Sequence, residues 1–381
     1  PRRRAVSRFG FSEAEKDPAQ RCCSSSLHLQ ESEYASGSGE TSISGNWSKR
    51  VIRENMKSQL NTNLLGIGKA LEEPVEITGG LLHKMYRVCT AKGVFAVKVL
   101  NGEIMKRSGV LENIIRSEKI ATFFSKKIPA VTALEVNGEK VCTIDGKFYM
   151  IFPWVEGNSV FPPEIQERHC AKIGEILGIM HKLAENTWQI KDSEEMVSMY
   201  EWERYLPEIS VKDEAWAREF CKIVPKLILW NQSACKAGNV LRKCQVISHR
   251  DLDPKNVMWE GMKPFLIDWE AAGPVNPYQE FLEVALYWAD DGRGSLNREC
   301  FDALLKAYTC YQDLKEADWD ILSAGGCSGM LGWLAYNIKR ALGIEASDDS
   351  EILLGEQEVE KAIRELNEYQ EKIRLIQKWM E

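Results

Sequence analysis

The chain has 381 residues, of which 44% are hydrophobic and 28% charged, and a formal net charge of −7. This length allows a sizeable core and either one large domain or two lobes. The negative charge argues against nucleic acid or an anionic membrane surface as the main partner. No apolar run reaches the roughly 18–20 residues of a membrane span, so the sequence predicts a soluble protein without a membrane partner.

The cysteine pattern points to a reducing compartment. Eleven cysteines is an odd number, and no Cys-x-x-Cys pair occurs. Free thiols are usual in the cytoplasm, whereas regularly spaced pairs are typical of secreted chains. We therefore expect a cytoplasmic protein. The sequence does not indicate an oligomeric state.

Three regions follow one another along the chain. Residues 1–48 are rich in Ser, Gly and Glu without sustained periodicity, which predicts a disordered or tag-like tail. Residues 49–72 carry apolar side chains at three-to-four spacing and predict an amphipathic helix. That helix opens a small lobe over 49–152. Pro153 then breaks the last strand, and 153–381 is predicted to be a mostly helical lobe.

The small lobe is predicted to be an antiparallel sheet with one inserted helix over 109–126. Short apolar runs separated by Gly, Asn-Gly and Asp-Gly turns predict its strands: 75–78, 85–90, 94–100, 131–136, 140–144 and 147–152. Gly79 and Gly80 follow the first strand, and a turn there would place backbone N–H groups over bound phosphates.

Lys98 lies among apolar residues in the third of these strands. A lysine in a short strand ordinarily points to solvent, but kinases use a strand lysine to hold the phosphates of ATP. On the inserted helix, Glu112 and Glu118 are alternatives for pairing with its ammonium group. Glu118 is the preferred one.

The stretch 246–273 carries the polar pattern around which the chain is organised. Short apolar runs bring His249, Asp251, Asn256 and Asp268 to one end of a small sheet. Singly, Asp and Asn are ordinary turn residues, and a histidine can pack under a loop. Together, and behind a strand lysine, they fit phosphoryl transfer from ATP. One carboxylate receives the proton of the acceptor hydroxyl, while an amide and a second carboxylate hold Mg²⁺.

The loop 249–256, His-Arg-Asp-Leu-Asp-Pro-Lys-Asn, resembles the catalytic loop shared by protein kinases and the aminoglycoside phosphotransferase/choline kinase group. The later segment Ile267-Asp268-Trp269-Glu270, with Gly273, resembles the aminoglycoside phosphotransferase family, whereas protein kinases have Asp-Phe-Gly there. The resemblance covers roughly residues 70–340. It implies an α+β, two-lobed protein-kinase-like fold with ATP bound under the hinge.

Carried over by position, the resemblance makes Asp251 the catalytic base, and Asn256 and Asp268 the Mg²⁺ ligands. It implies that Lys98 reaches the α- and β-phosphates and that Glu118 steadies it. The adenine would meet the backbone of the hinge: Phe152, Trp154 and Val155.

The function implied is an ATP- and Mg²⁺-dependent phosphotransferase that moves the γ-phosphate to a hydroxyl of a small molecule. The acceptor is aminoglycoside-like, an amino alcohol or a sugar, and the resemblance does not choose among them. Two alternatives remain open, a protein Ser/Thr kinase and a catalytically silent nucleotide-binding protein. Asp253, where the family often has His, either favours a cationic acceptor or binds Arg250. The acidic residues after the loop either line an acceptor pocket or face solvent: Glu270, Glu280, Glu283, Asp290 and Asp291.

Overall fold

A computed structural model describes residues 60–77, 83–185, 187–188, 197–346 and 348–380. The predicted tail over 1–48 and the turn at Gly79-Gly80 lie outside these residues. The strands within them are β1 (Val75–Ile77), β2 (Lys84–Thr90), β3 (Gly93–Val99), β4 (Cys142–Ile144), β5 (Lys147–Pro153), β6 (Asn158–Ser159), β7 (Val246–Ser248), β8 (Val257–Glu260), β9 (Lys263–Leu266) and β10 (Gly273–Val275).

The described residues also form α-helices, numbered here in chain order. They are α1 (Gly102–Met105), α2 (Val110–Phe124), α3 (Glu167–Glu185), α4 (Leu206–Ile209), α5 (Ala215–Leu241), α6 (Pro277–Trp288), α7 (Arg298–Tyr308), α8 (Trp319–Gly326), α9 (Ser328–Ala341) and α10 (Asp349–Met380). None of them is both long enough and apolar enough to cross a lipid bilayer.

The small lobe is a five-stranded antiparallel sheet in the order β1-β2-β3-β5-β4. Asn137 and Asp145 adopt positive φ angles of 55° and 50°, as the predicted Asn-Gly and Asp-Gly turns require. One face of the sheet packs on Leu65 and Ile67. A second apolar cluster joins the end of β3 and the middle of β5 to α2. These two clusters fix β3, and with it Lys98, at the centre of the sheet.

Two predicted elements of the small lobe are wrong. Residues 60–72 are turns and a single bridge instead of the end of a helix, because Gly66 and Gly68 take positive φ angles of 75° and 87°. The remainder of that predicted helix, 49–59, lies outside the described residues.

The second wrong element is the strand predicted over 131–136. This segment crosses between the lobes: the Val131 N–H donates to Leu266 O, at 2.8 Å, and the Leu134 N–H donates to Ile151 O, at 2.7 Å. A buried linker produces the same apolar pattern as a strand.

The large lobe is mostly helical, and its core centres on buried aromatic side chains including Phe281, Trp288 and Tyr308. The helix predicted over 318–342 is two helices, α8 and α9, which meet at Cys327. The helix predicted over 194–206 is wrong for the part that the structure describes, which contains a 3₁₀ turn at Trp202–Tyr205 followed by α4. The boundary between lobes at residue 152 stays a prediction, with irregular backbone over 154–157 following β5.

Helices α3 and α7 approach so closely that one contact requires glycine. A Cβ added at Gly174 would lie 2.3 Å from the backbone oxygen of Leu304. We expect Gly174→Ala to lower the free energy of unfolding by about 1–3 kcal/mol, the usual range for an overpacked core. The control is Gly102→Ala, a helical position where an added Cβ meets nothing within 4 Å. If the two variants unfolded at the same urea concentration, the close packing of α3 on α7 would be contradicted.

Candidate active site

The loop between β7 and β8 brings Asp251 and Asn256 together. The side chain of Asn256 donates from Nδ2 to the backbone oxygen of Asp251, at 2.8 Å, and to its Oδ2, at 2.9 Å. Because the amide nitrogen is used in this way, the amide oxygen of Asn256 is directed away from Asp251. Burial raises the pKa of Asp251 to about 6, and nearby Asp253 adds to the effect while Lys255 opposes it. A carboxyl group with such a pKa is ionised at neutral pH and still basic enough to accept a proton.

His249 joins this loop to the segment that carries Asp268. Its ring is fully buried, its Nε2 lies 3.1 Å from Ile267 O, and its Nδ1 accepts from the Asp251 N–H at 3.3 Å. Accepting at Nδ1 places the ring proton on Nε2, which donates to Ile267. Burial lowers the pKa of His249, which favours this neutral form. The histidine therefore fixes the position of Asp251 relative to Asp268.

A buried hydrogen-bonded network anchors the same loop from α6. Glu280 accepts from the Arg250 N–H at 2.7 Å, and its other oxygen lies 2.7 Å from Nε2 of His181. The Nδ1 of His181 lies 2.9 Å from the hydroxyl of Tyr308. Burial alone would raise the pKa of Glu280, but the bonds from His181 and the Arg250 amide outweigh it and hold the pKa below its usual value.

That anchor acts where the backbone is strained. Arg250 has a φ angle of +66°, a conformation that non-glycine residues adopt at a cost. Glu280 is therefore a structural anchor of the loop over 249–256 and does not line an acceptor pocket.

Lys98 is held by the segment after β9. Its Nζ lies 2.5 Å from Oε1 of Glu270 and 3.5 Å from Oδ1 of Asp268. Burial would lower the pKa of Lys98, but the two carboxylates outweigh it and raise the pKa above its usual value. The ammonium charge of Lys98 in turn lowers the pKa of Asp268. A strand lysine and the predicted metal aspartate thus meet across the cleft.

The expected pair of Glu118 with Lys98 is not formed in this structure. Glu118 is 4% exposed, accepts from the Ala133 N–H at 2.9 Å, and lies 3.5 Å from Nζ of Lys140. The backbone of the linker between the lobes therefore hydrogen-bonds to Glu118, the carboxylate that the resemblance pairs with Lys98. The alternative, Glu112, is exposed in the first turn of α2.

The predicted adenine contacts lie at the end of β5. Phe152 pairs with Ala96 within the sheet, and the Trp154 N–H donates to Val94 O at 3.2 Å. The amide of Trp154 is therefore already used. Val155 follows in irregular backbone, and an adenine contact there stays a prediction.

Next to Asp251 lies a half-buried surface of α6. Tyr287 donates to Oε1 of Glu283 at 3.5 Å. Burial, together with the charges of Glu280 and Asp251, raises the pKa of Glu283 to about 7. Asp253 is only 2% exposed and its Oδ1 accepts from the Lys255 N–H at 2.8 Å, so it caps the loop instead of facing an acceptor.

A sequence model of the phosphotransferase enzyme family matches residues 74–317. The chain belongs to this family. It is therefore a small-molecule kinase that transfers phosphate to a hydroxyl group. A search of curated protein sequences gives no match.

Solved structures of other small-molecule kinases share the fold of this phosphotransferase. An amicoumacin kinase, hAmiN, in complex with AMP-PNP, Ca²⁺ and Ami has a TM-score of 0.55 at 12% identity, covering 83% of this chain and 96% of that one. A spectinomycin phosphotransferase with ADP and spectinomycin gives 0.54 at 12% identity, with 76% and 89% covered. A microcompartment-associated aminopropanol kinase gives 0.52 at 15% identity, with 79% and 94% covered. The predicted two-lobed kinase-like α+β fold is confirmed.

The oxygen groups of this phosphotransferase fit a magnesium ion held jointly with a nucleotide. The side chains of Asp268 and Glu270 are 46% and 32% exposed to the cleft, and the amide oxygen of Asn256 is directed away from Asp251. No group of three or more His, Cys, Asp or Glu side chains in the described residues is arranged as a metal centre. The few side-chain oxygens of Asp268, Glu270 and Asn256 suit Mg²⁺, which keeps several waters and takes most other ligands from phosphates.

Sequence reasoning assigns no role to Lys255 and His83, and it groups Glu270 with the acids that line an acceptor pocket or face solvent, whereas the structure places Glu270 against Lys98. Glu270 follows the predicted metal ligand Asp268 by two positions, and this spacing could have indicated that Glu270 lies at the same end of the cleft. Lys255 lies 3.5 Å from Oδ1 of Asp251, and its place inside the catalytic loop could have suggested it. His83 precedes β2 with no motif to mark it.

Proposed function

We propose that this kinase transfers the γ-phosphate of ATP, as its Mg²⁺ complex, to a hydroxyl of a small cationic molecule such as an amino alcohol or an aminoglycoside. The observation that carries the proposal is the convergence of Asp251, Asn256, Asp268 and Lys98 at one end of the cleft, with the pKa of Asp251 raised to about 6. The relatives crystallised with AMP-PNP or ADP support a nucleotide as the donor.

On the nucleotide side, the cleft offers one cation and several oxygen groups. Lys98 would bind the α- and β-phosphates once they displace a carboxylate from its ammonium group. Asn256, Asp268 and Glu270 would hold Mg²⁺, which supplies charge neutralisation of the phosphates. Lys255 adds positive charge beside Asp251, where the phosphoryl group would pass. Preorganised charges of this kind account for most of the rate enhancement in phosphoryl transfer.

On the acceptor side, Asp251 would accept the hydroxyl proton. Its Oδ2 is held by Asn256, whereas its Oδ1 has no hydrogen bond among the described residues. The ionised form predominates above pH 6, so the base is ready at neutral pH. Positioning the hydroxyl against this oxygen contributes further, because a fixed geometry removes much of the entropic barrier.

The test is a screen followed by an assay. Thermal shifts with AMP-PNP and Mg²⁺ would be measured for aminoglycosides, amino alcohols and sugars, and the compounds that stabilise the protein would be tested for ATP-dependent phosphorylation. Asp251→Asn serves as the blank. A phosphorylated product that forms equally with the variant, or no acceptor-dependent use of ATP with any compound of these classes, would contradict the proposal.

Glu283 is expected to recognise a positive charge on the acceptor. Its pKa of about 7 means that the carboxyl is neutral below pH 7 and negatively charged above it. The KM for a cationic acceptor should therefore fall as the pH rises through about 7. Glu283→Gln should raise that KM about 10-fold, as expected for loss of a charge-assisted contact, and remove its pH dependence. The KM for ATP, measured on the same variant, is the control and should not change. A pH-independent KM in the wild type would contradict this role.

A further inference from the structure

His83 is a buried residue at the edge of the nucleotide site. It is 7% exposed and lies immediately before β2. It stands two positions before Met85, which pairs with Lys98 in the sheet. Residues two apart along a strand face the same side, so His83 approaches the cleft from the same face as Lys98.

A backbone hydrogen bond fixes the orientation of its ring. The Asn101 N–H donates to Nδ1 of His83 at 3.0 Å. A backbone amide can only donate, so Nδ1 carries no proton and the ring proton is on Nε2. The tautomer follows from this geometry alone.

The protonated nitrogen faces Glu270. Nε2 lies 3.8 Å from Oε2 of Glu270, while the other oxygen of that carboxylate lies 2.5 Å from Nζ of Lys98. One oxygen of Glu270 is therefore in contact with Lys98, and the other lies near His83 at a distance longer than a hydrogen bond, which a small shift of the carboxylate would close. Binding of phosphates to Lys98 would remove the first of these partners and bring negative charge close to the carboxylate.

We infer that His83 is a positioning residue that orients Glu270, through its Nε2–H, as a ligand for the cation of a metal–nucleotide complex. This inference rests on the proposed function. A neutral donor is suited to the task because it holds the carboxylate without competing with the metal for its charge. Hydrogen-bond donors behind a metal ligand commonly change metal affinity by about 10–100-fold when removed.

A purely structural role of His83 would also involve the ring, because Nδ1 accepts from the backbone next to α1. Two substitutions separate the roles. His83→Asn keeps an amide group near Nδ1 that can accept from Asn101, but it lacks a donor at the position of Nε2. His83→Gln places an amide N–H near the position of Nε2 and can restore the donor to Glu270.

The experiment is calorimetric titration of the purified protein with AMP-PNP, with and without Mg²⁺, together with thermal unfolding. His83→Asn should weaken binding of the Mg²⁺ complex about 10-fold, with the metal-free nucleotide and the unfolding temperature nearly unchanged. His83→Gln should recover most of the loss. Equal binding of Mg²⁺–AMP-PNP by wild type and His83→Asn, or an equal loss in both variants, would overturn the inference. If the wild type binds no Mg²⁺–AMP-PNP, the proposed function fails and the inference fails with it.

Discussion

Asp251→Asn is expected to lose phosphate transfer by about 10²–10⁴-fold, the usual contribution of a positioned general base. The amide has the shape of the carboxyl group and can turn its oxygen toward Nδ2 of Asn256, so the loop geometry and the affinity for Mg²⁺–AMP-PNP should be retained. In the wild type, the single-turnover rate should rise with pH through about 6, the pKa to which burial raises Asp251, because only the ionised carboxyl accepts the proton. The residual rate of the variant should not show this step.

The unfolding temperature distinguishes this catalytic role from a structural one. The folded-state pKa of Asp251 lies above its usual 3.8, so folding is opposed by ionisation of this carboxyl at neutral pH. Asp251→Asn should therefore unfold at an equal or higher temperature than the wild type at pH 8. A slow variant that is also less stable, or a transfer rate within threefold of the wild type, would argue against Asp251 as the base.

Glu280→Ala is expected to lower the free energy of unfolding by about 3–5 kcal/mol, the scale for removing one partner of a buried charged pair. The substitution leaves His181 and the Arg250 amide without the carboxylate oxygens that they contact at 2.7 Å. It also releases the strained backbone at Arg250, so the transfer rate should fall even at temperatures where the variant is folded. Urea unfolding and single-turnover kinetics measure the two effects.

Glu283→Gln, one helical turn further along α6, is the matched control for Glu280→Ala. Its carboxyl is half-buried and has its pKa raised to about 7, so ionisation there opposes folding and the substitution should not destabilise the protein at pH 8. A loss of less than 1 kcal/mol in Glu280→Ala, or equal losses in the two variants, would show that the network does not anchor the loop.

The part of the site that lies close together in sequence could be predicted. Asp251 and Asn256 belong to one short loop, where local hydrogen bonds decide the geometry. Asp268 comes shortly after β9, which pairs with β8, the strand that directly follows that loop. Lys98 lies in β3, whose hairpin with β2 could be predicted from its turn residues. Each of these positions is fixed by contacts over short distances along the chain.

Pairings between distant segments could not be predicted. Glu118 and Glu270 are both carboxylates near Lys98, and which of them contacts it depends on where the linker over 131–136 runs. In that linker, the Ala133 N–H donates a hydrogen bond to Glu118. No periodicity in the sequence predicts this contact. Glu280 was grouped with acids that line an acceptor pocket or face solvent for the same reason, because its partner His181 lies 99 positions away in the sequence. His181 in turn contacts Tyr308, which is 127 positions from it.

The linker at 131–136 also limits how the two lobes can move. Leu266 of the large lobe donates to Pro129 O at 2.9 Å and accepts from Val131 at 2.8 Å, while the chain itself crosses between the lobes after β5. Helix α2 forms a further contact between the lobes, because the ring of Phe124 stacks on that of Trp269 with the centroids 5.9 Å apart. We therefore expect the linker and α2 to stay with the large lobe, so that any opening of the cleft above Asp268 takes place in the strands of the small lobe beyond them.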